Sequence, residues 1–446
     1  MRAISLLALV LVGTAVASAL GSRPAAEPTF YKDVLPILQK NCQSCHRPGE
    51  VAPMALLTYE QTRPWAKAIK EAVIEKKMPP WYADPAHGHF ENDRSLSPKE
   101  VETLVSWVDQ GAKAGNPKDS PRPASSESSS TVEKPDMVIK LPVDFPIPAS
   151  GTVEYTWFVM PTGFTEDKWV QNIEVRPGDR AVVHHVVVLA REPRMREKYL
   201  KDAKPGEPFV PPRRELPRMA DDGTGDFQLP PGGGVELIAT YAPGSAPTPL
   251  KPGQARLIKA GSDIIFQMHY TPSGKATVDR TLIALTFAKE PPKERVVTTD
   301  ISNLRFRIPP GAENYQVFAR VTLYEDTKLL ALFPHMHLRG KAFEYRVKYP
   351  TGETEVLLRV PKFNFNWQLT YWLKEPKELP KGTLIECVAT YDNSAKNRVN
   401  PDPTAEVKVG PQTWEEMLTG FIDLAFDPHK DPRITKSAVE TTRSSN

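Results

Sequence analysis

The sequence predicts a multidomain chain in which a small all-α domain precedes two tandem all-β sandwiches of jelly-roll-like build. Three observations carry this. Apolar residues recur at helical spacing only up to about residue 117. From about residue 135 they come in short β-branched runs divided by Gly/Pro turns, the pattern of antiparallel sandwiches. Proline supplies 46 of the 446 residues, about one in ten and twice the usual share, which disfavours long bundles and coiled coils. At about 150 residues per domain the length admits roughly three.

The N-terminus reads as an export signal over residues 1–19. Arg2 is followed by an apolar stretch from Ala3 to about Val16, and Ala17-Ser18-Ala19 offers a small-residue cleavage site. The expected location is therefore periplasmic or secreted, with no membrane span once the signal is removed. Net charge is +3, from 57 basic and 54 acidic residues, a balance that gives no support for nucleic acid as a partner. Three cysteines are too few for a disulfide scaffold.

Residues 27–117 are expected to form the helical domain. Phe30, Val34, Leu35 and Leu38 mark a first helix over Thr29 to Lys40. Trp65, Ala68, Ile69, Ala72 and Val73 mark a second over Glu60 to Lys76. A third opens at Ser97-Pro98-Lys99-Glu100, where Ser97 suits the N-cap, Pro98 the first turn and Glu100 the capping box. Directly after the first helix stands Cys42-Gln43-Ser44-Cys45-His46. Two thiols three apart can each form a thioether to a haem vinyl group, and the adjoining histidine then reaches the iron. No second ligand pair for zinc accompanies them here. The segment resembles a cytochrome c domain with covalent haem c. That resemblance implies Met78, in Met78-Pro79-Pro80, as the sixth ligand, with Met54 and then His87 or His89 as alternatives. Residues 118–134, rich in Ser, Pro and charge, read as a flexible linker.

In the second half, strands are expected at Ala181–Leu189, Val235–Tyr241, Asp263–Tyr270, Thr281–Phe287, Leu329–Phe333, Phe343–Tyr349 and Leu384–Tyr391. They divide into sandwiches over 135–290 and 291–430, with 431–446 a tail. Of nine histidines, five are expected in strands of this half: His184, His185, His269, His335 and His337. Spacing of two in His335-Met336-His337 puts both imidazoles on one strand face. His184 and His185 can share a metal only if the strand twists, bulges or ends there. Imidazole with thioether suits copper, and the lack of cysteine ligands disfavours structural zinc.

The order His184-His185, Gln267-Met268-His269-Tyr270, His335-Met336-His337, Glu415-Glu416-Met417 is similar to that of the copper type II, ascorbate-dependent monooxygenases, the family of peptidylglycine and dopamine hydroxylating enzymes. The resemblance covers residues 135–428. It implies two copper ions: His184, His185 and His269 would hold the electron-storing one, and His335, His337 and Met417 the oxygen-activating, catalytic one. It also implies hydroxylation of a C–H bond in a small organic substrate with O₂, with ascorbate or a redox protein as donor and the fused haem as a physical replacement for ascorbate. Two departures bear on the substrate. Phe333 stands where peptide-amidating members carry an arginine, and Phe421 where they carry a tyrosine, so a glycine-extended peptide is a poor fit. The alternative is a non-catalytic periplasmic electron-transfer or copper-binding protein on the same fold.

Overall fold

The structure is a computed structural model. It describes residues 27–50, 52–122, 132, 134–211, 233–243, 250–410 and 412–430, together with the backbone of 435–437. The expected signal over 1–19, most of the linker and most of the tail lie outside the described residues.

The helical domain follows its sequence pattern, with one break. A π-helical turn over Phe30–Val34 runs into α1 (Leu35–Asn41). The expected second helix is split into α2 (Tyr59–Thr62), a 3₁₀ turn at Arg63–Trp65, and α3 (Ala66–Ile74). Pro64 has no N–H to donate and sits where a helix can only start, so the helix restarts there. The break rotates the buried stripe. Thr62, Ala66 and Val73 face the core, while Trp65 and Ala68 turn to solvent. In α4 (Pro98–Asp109) the expected capping box is complete, Ser97 accepting from the Glu100 N–H and Glu100 accepting from the Ser97 N–H. Phe30, Leu38, Leu104 and Trp107 fill the small core.

The first sandwich contributes ten strands. These are β1 (Met137–Lys140), β2 (Phe145–Ile147), β3 (Thr156–Pro161), β4 (Lys168–Arg176) and β5 (Val183–Arg191). There follow β6 (Val235–Tyr241), β7 (Gln254–Ile258), β8 (Asp263–Tyr270), β9 (Thr277–Asp279) and β10 (Leu282–Phe287). The second adds β11 (Glu294–Asn303), β12 (Arg307–Ile308), β13 (Tyr315–Leu323), β14 (Thr327–His335), β15 (Gly340–Lys348) and β16 (Thr354–Val360). It closes with β17 (Tyr371–Leu379), β18 (Leu384–Tyr391), β19 (Val407–Lys408), β20 (Leu418–Phe426) and β21 (Thr435–Ser437).

One eight-stranded sheet, ordered β1-β10-β4-β7-β11-β20-β14-β17, runs through both sandwiches. Its two halves join at a short parallel pairing, Glu294 with Gln254 and Arg295 with Ala255. The first half packs against the sheet β3-β8-β5-β6 around Phe158, Val186, Phe266 and Met268. The second half packs against β16-β15-β18-β13-β21 around Leu332, Phe343, Tyr345 and Leu424. The outer face of β3-β8-β5-β6 is also apolar. Trp157, Leu189, Leu237 and Ile265 cluster there, and Phe421 of the second sandwich packs onto them.

Two sequence boundaries move. Residues 81–92, expected inside the helical domain, form a strap on the second sandwich. Asp84 N–H donates to Arg359 O, Glu91 N–H to Trp372 O, and Asn92 brackets the same strand through Thr370 O and Trp372 N–H. Gly88 has a positive φ, and a Cβ there would stand 2.5 Å from Leu357 O, so only glycine lets the strap lie this close. The expected linker also ends early: Val132 is buried and its N–H donates to Glu174.

Near the seam, Glu236 is mostly covered, its side chain 14% exposed, with its carboxylate 3.8 Å from Arg256 and 3.7 Å from Arg295. Burial outweighs both arginines and pushes the Glu236 carboxyl up to about 7. Folding therefore favours the protonated form, and this group's contribution to stability falls as pH rises from the ordinary carboxylate range to about 7. Glu236→Gln mimics that form. Its urea midpoint should exceed the wild type's at pH 8, with the gain shrinking toward pH 5.

Candidate metal centres

The three histidines of the first sandwich meet through a β-bulge. β5 pairs with β8 so that Val183 faces Tyr270 and His185 faces His269, leaving His184 as the extra residue. The bulge turns two sequence neighbours to one side, which a flat strand forbids. Val186 and Val188 of β5, with Phe266 and Met268 of β8, point into the core. By alternation His185 and His269 point outward, toward the second sandwich. Their ring nitrogens converge. Nδ1 of His185 lies 3.2 Å from Nδ1 of His184 and 3.2 Å from Nδ1 of His269. Three imidazole nitrogens about 2.0–2.1 Å from one ion, at a tetrahedral angle, stand about 3.3 Å apart. The donor set fits a single metal ion.

Burial also keeps these rings neutral, as ligands must be. It lowers His184, takes His185 well below its usual range with help from His269, and brings His269 down to about 3. Tyr155 lies over the group, its ring 4.6 Å from that of His269.

The second group forms where β14 ends. His335 is the last residue of the strand, whereas His337, expected within it, lies just beyond. The rings still meet, with centroids 5.1 Å apart, and Met336 between them is buried in the core. In the β14–β20 register Phe333 faces Phe421 and His335 faces Thr419. Continued past the strand end, that register sets His337 opposite Met417. Leu418 enters the core while Met417 turns to the cavity. The Nδ1 of His335 is 2.5 Å from Gln368 Oε1, and that of His337 is 3.2 Å from Glu415 O. Both acceptors hold Nδ1 protonated and leave each Nε2 free as a metal donor. Burial brings His337 down to about 3.

Glu416 holds this corner together. Its buried carboxylate accepts from the N–H groups of Arg339 at 2.6 Å, His337 at 2.9 Å and Met417 at 3.2 Å. Burial raises its carboxyl to about 8 against those three donors. Sequence reading quoted Glu416 within the Glu415-Glu416-Met417 element but gave it no role of its own. Gln368, Tyr155 and Phe365 left no local signal at all, because they arrive from loops distant in sequence.

The two groups share one cavity of about 220 Å³, lined by His184 and His185 on one side and His335, His337 and Met417 on the other. Phe365 stands between them, its ring 6.3 Å from that of His184 and 6.2 Å from that of His337. The wall is apolar. Phe333 and Phe421 stack there at 5.5 Å, beside Trp157, Leu189 and Leu237.

The turn carrying the paired cysteines is also ordered. Cys42 N–H donates to Leu38 O, and Cys45 and His46 N–H both donate to Cys42 O, so all three side chains leave one turn. Burial pushes the Cys42 thiol up to about 12. His46 Nδ1 lies 3.3 Å from Met54 O, which leaves Nε2 free and sets the Met54 backbone behind the ring. The two thiols and the imidazole thus stand together on one turn. Met78 lies at the head of the strap, half-buried, its N–H donating to Ala72 O. His87 and His89 belong to the strap on the second sandwich.

Glu416→Ala would strip three buried N–H groups of their acceptor, at about 1–3 kcal/mol each. It should lower metal retention at His335, His337 and Met417 at least tenfold while leaving the three-histidine group loaded. Glu416→Gln, which keeps one acceptor oxygen, should recover part of the loss. Metal counting after dialysis of each variant checks this.

No protein-family model matches the chain, and no curated protein does. Solved structures with partial overlap include the infectious bursal disease virus Gx strain, at 8% identity over 70% of this chain and 77% of that one, with a TM-score of 0.20. The VP2 subviral particle of infectious bursal disease virus overlaps at 9% identity over 70% and 76%, TM-score 0.19. Allantoicase overlaps at 8% identity over 56% and 81%, TM-score 0.15. At these scores the overlaps carry no argument about this chain.

Proposed function

We propose that the chain is an exported haem- and copper-containing monooxygenase that hydroxylates a C–H bond of a small apolar substrate with O₂. One observation carries the reading: two separate nitrogen-rich donor groups, one with a thioether beside it, face each other across a single apolar cavity. A carrier needs one such group and no cavity.

In this reading His184, His185 and His269 hold one copper, and His335, His337 and Met417 the other. Cys42 and Cys45 attach the haem and His46 ligates its iron, with Met78 as sixth ligand. Bound copper supplies oxygen activation and one-electron chemistry, and the haem supplies electrons in place of ascorbate. The protein's own part is positioning. Gln368 Oε1 and Glu415 O fix the two Nδ1 protons and leave both Nε2 atoms free as donors. Tyr155 packs on His269 and lines the shared cavity. Phe333, Phe421 and Trp157 exclude water and offer no charged anchor for a peptide carboxylate. No acid–base pair is required of the chain.

The helical domain touches the first sandwich close to the three-histidine group, where a bound haem would be near it. Glu50, four residues after His46, lies 3.5 Å from Arg180, whose guanidinium covers the Tyr241 ring. Tyr241 pairs across the ladder with Val186, the neighbour of His185.

The purified protein should bind two coppers per chain, falling to about one in His184→Ala or His335→Ala, and should consume O₂ with compounds from an apolar panel. A single copper in the wild type would leave the carrier reading standing instead. Haem should survive acid–acetone extraction and disappear from the Cys42→Ala, Cys45→Ala double variant. His335→Ala should stop product formation with any donor.

A further inference from the structure

A second cavity, of about 150 Å³, lies beside the first, under Trp81 and Asn92 of the strap. The two cavities share Phe333 and Phe421, whose rings stack at 5.5 Å and 22°. The β14–β20 register shows what that pair divides. On the face turned to the first sandwich three rows follow one another: His335 with Thr419, Phe333 with Phe421, and Ala331 with Asp423. The alternate residues, Leu332, Ile422 and Leu424, enter the core. His335 and Thr419 line the first cavity, Ala331 and Asp423 the second, and the ring pair lines both. Chemical character changes across the same step. Trp157, Val187 and Leu189 wall the first cavity. Arg180, Glu174 and Asp423 wall the second, with the Asp423 carboxylate 2.9 Å from Arg256. Phe421 also reaches across to pack on the apolar cluster of Trp157 and Leu237, so the row is closed from both sandwiches.

From this row of stacked rings between an apolar and a charged cavity, we infer that Phe333 and Phe421 form the end wall of the substrate cavity and set the length of the molecule it accepts. Two strand residues span about 7 Å, so the wall stands one such step behind His335. A dry apolar cavity of about 150 Å³ holds benzene, and the first cavity, at about 220 Å³, is of that order. The substrate class is therefore short, uncharged and apolar: one ring, or an alkyl chain of similar reach. A longer apolar tail would have to displace the rings and then desolvate the pair of Asp423 and Arg256, which is costly. That the occupant is a substrate rests on the function proposed above; that the wall limits its length does not.

The test is ligand binding by the purified full-length protein without reductant, so that nothing turns over. The probes are toluene and a phenylhexanol with its hydroxyl at the chain end. The wild type should bind toluene, and the long alcohol about tenfold more weakly or worse. Phe333→Ala and Phe421→Ala open the wall toward the charged row. Each should tighten the long alcohol by about tenfold or more while toluene changes by less than about threefold. Adding Ala331→Leu to Phe333→Ala refills the space behind the wall and should cancel the gain. Phe333→Leu and Phe421→Leu, closer in volume, keep the test open where an alanine variant fails to fold, and should show a smaller gain. Wild-type protein that binds the two probes equally, or neither, overturns the wall. So do folded variants that still exclude the long alcohol. A wild type that shows the binding pattern but hydroxylates nothing with donor and O₂ present overturns the substrate role together with the proposed function, and leaves the wall in place.

Discussion

Two residue pairs, Glu294 with Gln254 and Arg295 with Ala255, hold the two sandwiches in one sheet. Everything at the candidate centre depends on that seam. A β-sandwich ordinarily buries its inner faces and leaves its outer faces to water. Here the continuous sheet turns an outer face of one sandwich toward an outer face of the other, so a second apolar layer forms between them. Phe421 shows the result, extending from the second sandwich onto Trp157, Leu189 and Leu237 of the first. Residues that alternate outward on β5, β8 and β14 thereby become cavity residues. The metal-like groups then need only a bulge at His184 and the strand ends beside His337 and Met417 to turn their side chains to that face.

Buried polarity follows the same geometry. Around the seam, Arg256 meets Asp423 at 2.9 Å and Thr298 donates to the other oxygen of the same carboxylate at 2.5 Å. Such pairs are weak stabilisers because desolvation offsets most of the attraction. They do fix register, since a sheet slipped by one residue would send each charge to the opposite face. Glu416 works likewise at the cavity edge. By collecting three N–H groups from two chain segments, it makes the position of Met417 depend on that of His337.

The β architecture was largely legible in the sequence. Val235–Tyr241, Asp263–Tyr270 and Leu384–Tyr391 appear with the bounds their β-branched runs suggest, because each is a buried run closed by turn residues. The need for a bulge at His184 was also legible, as two neighbours on a flat strand cannot share a ligand. What could not be read was tertiary. Pro64 splits a helix that periodicity joined, and His337 lies past a strand end that spacing alone placed within it. The strap left the helical domain because its aromatic residues, Trp81 and Phe90, find Tyr371 at 4.9 and 5.4 Å. Nothing local distinguishes that partner from the helical core. Gln368 and Phe365 reach the centre from a loop whose sequence carries no metal-like pattern.

The strap has one further consequence. β17 is the last strand of the eight-stranded sheet, and an edge strand exposes N–H and C=O groups to any passing chain. Phe90 bridges Leu373, Lys374 N–H donates to His89 O, and Asn92 closes on Trp372. Part of that edge is thus already occupied by the chain's own N-terminal third. A fragment beginning at residue 135 would keep both sandwiches and lose this cover. It would present Tyr371–Lys374 as an open, partly aromatic edge, prone to self-association. The segment between α3 and α4 therefore also guards the edge of the sheet.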